Sequence, residues 1–172
     1  MKWFLKIILF FLIGLTLYYF LDPYEYTMPV KGAGKWSYNQ HSFWAYPWGS
    51  SGHHKGVDIF QKKGTPVLSA TKGVVVYKGV LSKGGNVVLV FGPRLRLHYY
   101  AHLDTIQVGY FTFLSAGDQI GTVGTTGNAK GKPPHLHYSI TRLIPRLETK
   151  EEWEKRFYDN PIPLLNDAVK NK

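Results

Sequence analysis

The chain has 172 residues, a formal charge of +10 at pH 7, 44% hydrophobic residues and no cysteine. That length gives room for one domain with a proper core plus an N-terminal segment. The lack of cysteine excludes disulfides, thiolate nucleophiles, thiolate metal ligands and a lipidated N-terminal cysteine. The basic surplus favours an anionic partner such as a cell wall or a lipid surface. With no helix-turn-helix or zinc-finger pattern, nucleic acid is not an expected partner.

Residues 1–22 read as a transmembrane signal anchor. Lys2 and Lys6 precede an uncharged run over residues 7–21, which Asp22-Pro23 closes. Counted back to Trp3, the run approaches the ~20 residues needed to cross hydrocarbon, with Lys6 close enough to the end to snorkel. Positive charge before the run and acidic charge after it put the N-terminus in the cytoplasm and the remainder on the periplasmic or extracytoplasmic side. A cleaved signal peptide competes with this reading, but Leu21-Asp22-Pro23-Tyr24 offers no small-x-small cleavage site. The expectation is therefore a single-pass protein of the cell membrane.

Residues 23–44 are expected to be a linker and an irregular segment. Trp36, Tyr38, Phe43 and Trp44 there, with Tyr46 and Trp48 just beyond, are more suited to covering a small β-core than to stacking on substrate. Residues 45–145 carry short β-branched and aromatic runs punctuated by glycine, an all-β pattern with tight turns. In His54-Lys55-Gly56-Val57-Asp58, strand spacing lets His54 and Asp58 project from one face. Residues 94–103 alternate, with Leu95, Leu97, Tyr99 and Ala101 on one expected core face and Arg94, Arg96, His98, Tyr100 and His102 opposite. A loop over residues 127–134 leads to His135-Leu136-His137, where Leu136, Tyr138 and Ile140 oppose His135, His137 and Ser139. If both apolar faces share the core, the histidine faces share a groove, of which the loop forms one wall.

Residues 146–172 are expected to hold a short helix and a tail. The helix is placed over residues 148–158 because acidic residues come early and basic ones late, and Trp153 and Phe157 lie four apart. Asn160-Pro161 is read as its stop, residues 162–165 as a docked strand-like stretch, and the remainder as frayed. No internal repeat is evident.

The histidine motifs carry the chemistry. Two imidazoles and a carboxylate suit a catalytic zinc site, which keeps an open position for water. No glutamate lies in the motifs, so the remaining imidazole must handle the proton, a task within its pKa range. His53 has odd spacing to Asp58, His98 lies ~13 Å along the strand from His102, and His41 has no partner motif, so all three are expected to be ordinary surface residues.

The ordered series His-x-x-x-Asp, Tyr99-Tyr100-Ala101-His102-Leu103 and His135-Leu136-His137 resembles the lysostaphin-like, LytM-domain zinc endopeptidases of bacterial cell walls. The likeness includes Lys63-Gly64-Thr65-Pro66-Val67, Gly84-Gly85-Asn86-Val87-Val88, Ala116-Gly117-Asp118 and Gly124-Thr125-Thr126-Gly127-Asn128, and covers about residues 45–142. The resemblance implies one Zn2+ per chain held by His54, Asp58 and His137, with His102 and His135 as the catalytic pair. It also implies a β-sheet-rich domain with an open groove that acts on peptidoglycan peptides; the chain is expected to be a monomer. The bond cut is read as a D-alanyl cross-link first and a glycine bridge second. A tyrosine assists the oxyanion in some relatives; Tyr46 and Trp48 are the nearby aromatic candidates here. Two rivals stand: a non-catalytic wall-binding or hydrolase-activating module, marked by lost ligands, and a histidine phosphotransfer carrier, which needs neither Asp58 nor an anchor.

Overall fold

The computed structural model describes residues 2–21, 24–49, 52–147 and 149–170. The N-terminal run is helical as expected, α1 (Lys2–Leu21). Among the described residues no helix is long and apolar enough to cross a membrane. The side chains of residues 15–21 lie outside the described ones, and those from Trp3 to Ile13 that are large and apolar are exposed.

The body of the chain is one antiparallel sheet whose described strands are β1 (Val57–Phe60), β2 (Pro66–Leu68), β3 (Gly73–Leu81), β4 (Gly85–Gly92), β5 (Arg96–Ile106), β6 (Phe113–Leu114), β7 (Gln119–Val123), β8 (His135–Arg142) and β9 (Tyr158–Asp159). The spatial order is β1-β8-β5-β4-β3-β6, with β7 bridging β5 to β2 and β9 added to β8. Valine-rich runs such as Val87-Val88-Leu89-Val90 fit a pleated surface and explain the long central strands. One face is dry: Val57, Ile59, Val88, Val90, Tyr100, Leu136, Tyr138 and Ile140 are all fully buried. The segment before the sheet closes that core. Met28, Val30 and Tyr38 are buried in it, Thr27 donates its N–H to Ala70 C=O at 2.8 Å, and Leu68 donates to Pro29 C=O at 2.9 Å. Trp36, in contrast, stands in solvent.

The C-terminal helix is displaced from its expected place. Residues 148–158, of which 148 lies outside the described residues, form no α-helix. They give a single 3-10 turn (Glu154–Phe157) and then β9. The charges that suggested a helix are spent on ion pairs, Glu151 meeting Arg146 at 2.9 Å and Lys155 at 3.0 Å, while Arg146 also donates to Tyr158 C=O at 2.9 Å. Trp153 is exposed and meets Phe157 edge-on instead of packing on the core. The α-helix is α2 (Ile162–Lys170), where a strand-like stretch was expected. Asn160-Pro161 starts it rather than stopping its predecessor. Asn160 Oδ1 accepts the Ile162 N–H at 3.0 Å, one of the donors a helix start leaves unpaired. Pro161 and Pro163 have no N–H to strand there. Ile162 and Leu165 then cover the core, and Asn166 Oδ1 accepts the Tyr38 hydroxyl at 2.9 Å.

β5 reverses the expected split of faces along most of its length. His98 and Tyr100 enter the core, whereas Leu97, Tyr99 and Ala101 line the opposite, grooved face. The expectation that His98 is a surface residue is therefore wrong. Its Nδ1 lies 2.6 Å from the Tyr138 hydroxyl, and its Nε2 has no hydrogen-bond partner among the described residues. Burial and the nearby Arg96 push its pKa down from 6.5 to about 3, so the ring is neutral in the fold.

This has a pH consequence with a definite sign. The unfolded state takes up the His98 proton near pH 6.5, whereas the native state resists it down to about 3. The stabilisation is complete above pH 6.5 and is lost on acidification, by about 1.4 kcal/mol per pH unit in the intervening window. Urea unfolding between pH 7 and 4 should show a shallower loss of stability in His98→Leu than in the parent chain. Parallel pH slopes for the two proteins would contradict a neutral, buried His98.

Candidate metal centre and active-site groove

The grooved face of β8 behaves as its alternation requires: His135, His137, Ser139 and Thr141 line the groove while Leu136, Tyr138 and Ile140 face the core. β1 lies beside it with Asp58 opposite His137. His54 arrives differently from expected. It is not on a strand, since β1 begins at Val57, but in a loop fastened by two backbone bonds. Its N–H donates to Ala45 C=O at 3.0 Å, and its C=O accepts the Trp44 N–H at 2.7 Å. Trp48 stacks on the imidazole at 4.0 Å with the planes 14° apart. Tyr46, the other aromatic candidate, packs instead on His53, which Trp44 also stacks on.

His102 reaches the groove through a β-bulge. Its φ is +65°, and Asn86 faces Leu103 while Val88 faces Tyr100, so two β5 residues oppose one on β4. A bulge of this kind turns adjacent side chains to the same side. Ala101 and His102 both line the groove and Leu103 returns to the core.

The five residues singled out in the sequence thus meet in one place. His54 Nε2 is 3.1 Å from Asp58 Oδ1 and 3.2 Å from His137 Nδ1, and His137 Nδ1 is 2.8 Å from Asp58 Oδ1. His135 Nε2 is 4.0 Å from that carboxylate oxygen, and the His102 ring lies 5.0 Å from His135 and 6.0 Å from His137. The groove has a volume of about 1280 Å³.

Backbone carbonyls set the tautomers of three imidazoles. His54 Nδ1 is 3.0 Å from Ser42 C=O, His102 Nδ1 2.9 Å from Thr126 C=O, and His135 Nδ1 2.8 Å from Pro133 C=O. A carbonyl only accepts, so Nδ1 carries the proton in each ring and Nε2 presents a lone pair to the groove. The same carbonyl bonds hold each ring in orientation, as outer partners of metal-binding histidines do. Thr126 does more than accept: its hydroxyl donates to Leu103 C=O at 2.9 Å and accepts the Asn86 N–H at 2.9 Å. Gly85 and Gly127 pack backbone to backbone there, each lacking room for a Cβ by a wide margin (2.2–2.4 Å to the nearest atoms). That contact fixes the loop over residues 127–134 as a groove wall, where Asn128, Lys132 and Pro133 stand.

The donor set fits a cation. Three lone-pair atoms, two nitrogens and an oxygen, sit within 4.8 Å of one another as the only such group of three among the described residues. Without a positive charge between them their lone pairs repel. The edges of the triangle, 2.8–3.2 Å, approach the ~3.3 Å expected for a tetrahedral site with bonds of ~2.0–2.1 Å, the zinc preference for these ligands. Burial alone would raise the Asp58 carboxyl, but the His137 and His54 rings set against it outweigh burial and hold the group well below the carboxylate range. His102 is lowered to about 4 by burial and by repulsion from His137 and His135, so it is neutral and able to accept a proton.

The sequence matches the model of peptidase family M23 over residues 52–151. The chain belongs to peptidase family M23. It is 35% identical over 137 residues to the L-Ala--D-Glu endopeptidase of Bacillus subtilis, an alignment covering 74% of this chain and 41% of that protein. It is 36% identical over 92 residues to the murein hydrolase activator NlpD of Escherichia coli, covering 53% and 24%. The fold matches the catalytic domain of lysostaphin from Staphylococcus simulans with a TM-score of 0.61 and 29% identity, covering 73% of this chain and 89% of that domain. The chain spans less than half the length of the curated relatives it matches. Within this family setting, the sequence pattern missed Tyr99, assigned to the core but lining the groove with its ring 6.2 Å from His137 and edge-on. It also missed Ser42 and Thr126, whose contributions come from backbone carbonyls that leave no residue-type signal.

Gly56 marks how closely this centre is packed. A Cβ there would lie 2.5 Å from Tyr138 C=O and 3.0 Å from the His137 ring. Gly56→Ala is expected to displace His137 and weaken zinc binding by at least tenfold, read by competition with a fluorescent chelator. Unchanged affinity would mean that the loop before β1 does not position the ligand.

Proposed function

We propose that this chain is a zinc-dependent endopeptidase that hydrolyses peptide bonds in peptidoglycan cross-links. The observation that carries this reading is the convergence of His54, Asp58 and His137 with two lone-pair imidazoles, His102 and His135, in one open groove. His54, Asp58 and His137 would hold the ion. Zinc bound there supplies a Lewis acid for the scissile carbonyl and lowers the pKa of a water to near neutrality. His135 Nε2, next to the carboxylate, is placed to take a proton at the reacting centre. His102 Nε2, directed by the Thr126 carbonyl, is placed to return a proton to the leaving amine or to steady developing negative charge. Neither needs to change tautomer to accept. The groove is open enough for an extended peptide, and Trp48 shields the back of His54 from water.

We further propose that α1 attaches the protein to the cell membrane with the sheet domain outside the cytoplasm. Support comes from the exposed apolar side chains of α1, the lysines before them and the acidic residues after them. A cell-wall substrate requires the same side.

A second reading is that the chain activates other wall hydrolases without cutting bonds itself, and the likeness to NlpD favours it. The retention of all five site residues counts against it. Metal analysis and amine release from purified wall sacculi separate the two readings. Asp58→Ala and His137→Ala each remove a ligand and should lose zinc and hydrolysis together. His102→Ala should keep near-stoichiometric zinc and an unchanged circular dichroism spectrum while losing roughly 10²–10⁴ in rate, the usual worth of a proton-handling group. His135→Ala should behave likewise, with somewhat weaker metal binding. Zinc lost from His102→Ala but retained by His54→Ala would reverse the division between ligands and bases. Zinc-loaded parent protein that releases no amine would favour the activator.

A further inference from the structure

One end of the sheet carries features that the groove chemistry leaves unused. There β4 ends, β5 begins and β8 ends, with Gly92 facing Arg96 and Arg96 facing Arg142. The chain enters the domain at this same end: the Tyr24 ring lies 5.0 Å from the Arg94 guanidinium and 5.7 Å from that of Arg96. Tyr24 follows the last residue of α1, Leu21, by three positions, a span of at most about 10 Å when extended. Whatever surface holds α1 is therefore close to this end.

The end is also apolar. Leu95 is 39% exposed, Leu143 52% and Ile144 60%. They are contiguous, because the Leu143 N–H donates to Leu95 C=O at 3.2 Å. Arg94 and Leu95 sit on a loop with φ of +57° and +53°, a region that bulky residues seldom adopt, and this conformation turns both side chains outward. Single exposed leucines need no explanation, but a joined group at a chain entry point, edged by arginine, does. Arg96 and Arg142 are both committed to Asp159, at 2.5 Å and 3.3 Å. Arg94 is exposed at the edge of the apolar group.

We propose that this end of the sheet is a lipid-contacting rim. Leu95, Leu143 and Ile144 enter the boundary between headgroups and acyl chains, and Arg94 engages lipid phosphate. The combination of aliphatic side chains with a flanking cation is that of interfacial segments binding anionic lipid. The inference rests on the membrane attachment proposed for α1. It adds an orientation: His137 lies five residues from Arg142 along β8, about 17 Å at strand rise. Docking of the rim holds the candidate metal centre at roughly that height above the lipid.

The absence of cysteine makes the test clean. Ile144→Cys at the rim and Lys130→Cys beside the start of β8, at the opposite end, are labelled with an environment-sensitive fluorophore in the full chain. The protein is reconstituted with phosphatidylcholine vesicles containing phosphatidylglycerol and a lipid bearing a quencher just below the headgroup. The Ile144 label is expected to be quenched several-fold more than the Lys130 label. Adding Arg94→Glu and Leu143→Ser should abolish that difference while the protein still floats with the vesicles. Equal quenching of the two labels in floating protein overturns the rim and leaves the attachment intact. A protein that does not float overturns the attachment and the rim with it. A label at Ile144 that is shielded without lipid quenching, in proportion to protein concentration, assigns the surface to a second copy of the chain and overturns the lipid proposal.

Discussion

A strand alternates, and a site built from one strand can use only every second residue on the face it presents. β5 evades that limit at His102. The left-handed backbone there inserts one extra residue opposite β4, so Tyr100 remains in the core, Ala101 and His102 both look into the groove, and Leu103 returns to the core. Without the insertion, His102 would follow Tyr100 and His98 into the interior, and the groove would hold one imidazole fewer. The φ of +65° is costly for a residue with a Cβ. It is held by the His102 N–H donating to Gly84 C=O at 2.8 Å and by the ring's bond to Thr126 C=O. Strain borne by a groove residue and secured from both sides is what pre-organisation looks like in backbone terms.

The same economy extends to protonation. Three of the four imidazoles at the candidate centre are tied through Nδ1 to a main-chain carbonyl: that of Ser42 in the segment before β1, and those of Thr126 and Pro133 in the connection between β7 and β8. A carbonyl cannot donate, so these contacts fix the tautomer as firmly as they fix the ring plane. His137 alone turns its Nδ1 to the centre, and its position is held by Asp58 on one side and the close pass of Gly56 on the other. The loops that flank the groove therefore do more than shape it. They decide which nitrogen of each ring is a base.

Much of the site was legible in the residue pattern, and the reasons it was legible are specific. β8 is a regular strand, so His135 and His137 were correctly placed together opposite Leu136 and Tyr138. Asp58 follows from the same rule in β1. His54 was correctly brought to Asp58 by the wrong route, since a loop and not a strand delivers it. β5 defeated the reading because a bulge at a histidine carries no glycine to announce it, and one inserted residue inverts the parity of everything before it. His98 was misplaced for that reason. At the C-terminus, charge order suggested a helix over residues 148–158, yet the charges belong to a surface ion-pair network. Asn160-Pro161 is ambiguous punctuation, able to end one element or open the next, and only the packing of Ile162 and Leu165 on the core resolves it.

The contact between Gly85 and Gly127 makes the aim of two imidazoles depend on one loop. The two main chains meet there with the Thr126 hydroxyl against Gly85, so the loop carrying Asn128 and Pro133 cannot shift without moving Thr126. Thr126 holds His102, and Pro133 holds His135. A single outward shift of this wall would drag both carbonyls and turn both rings at once, so the two imidazoles keep or lose their aim together.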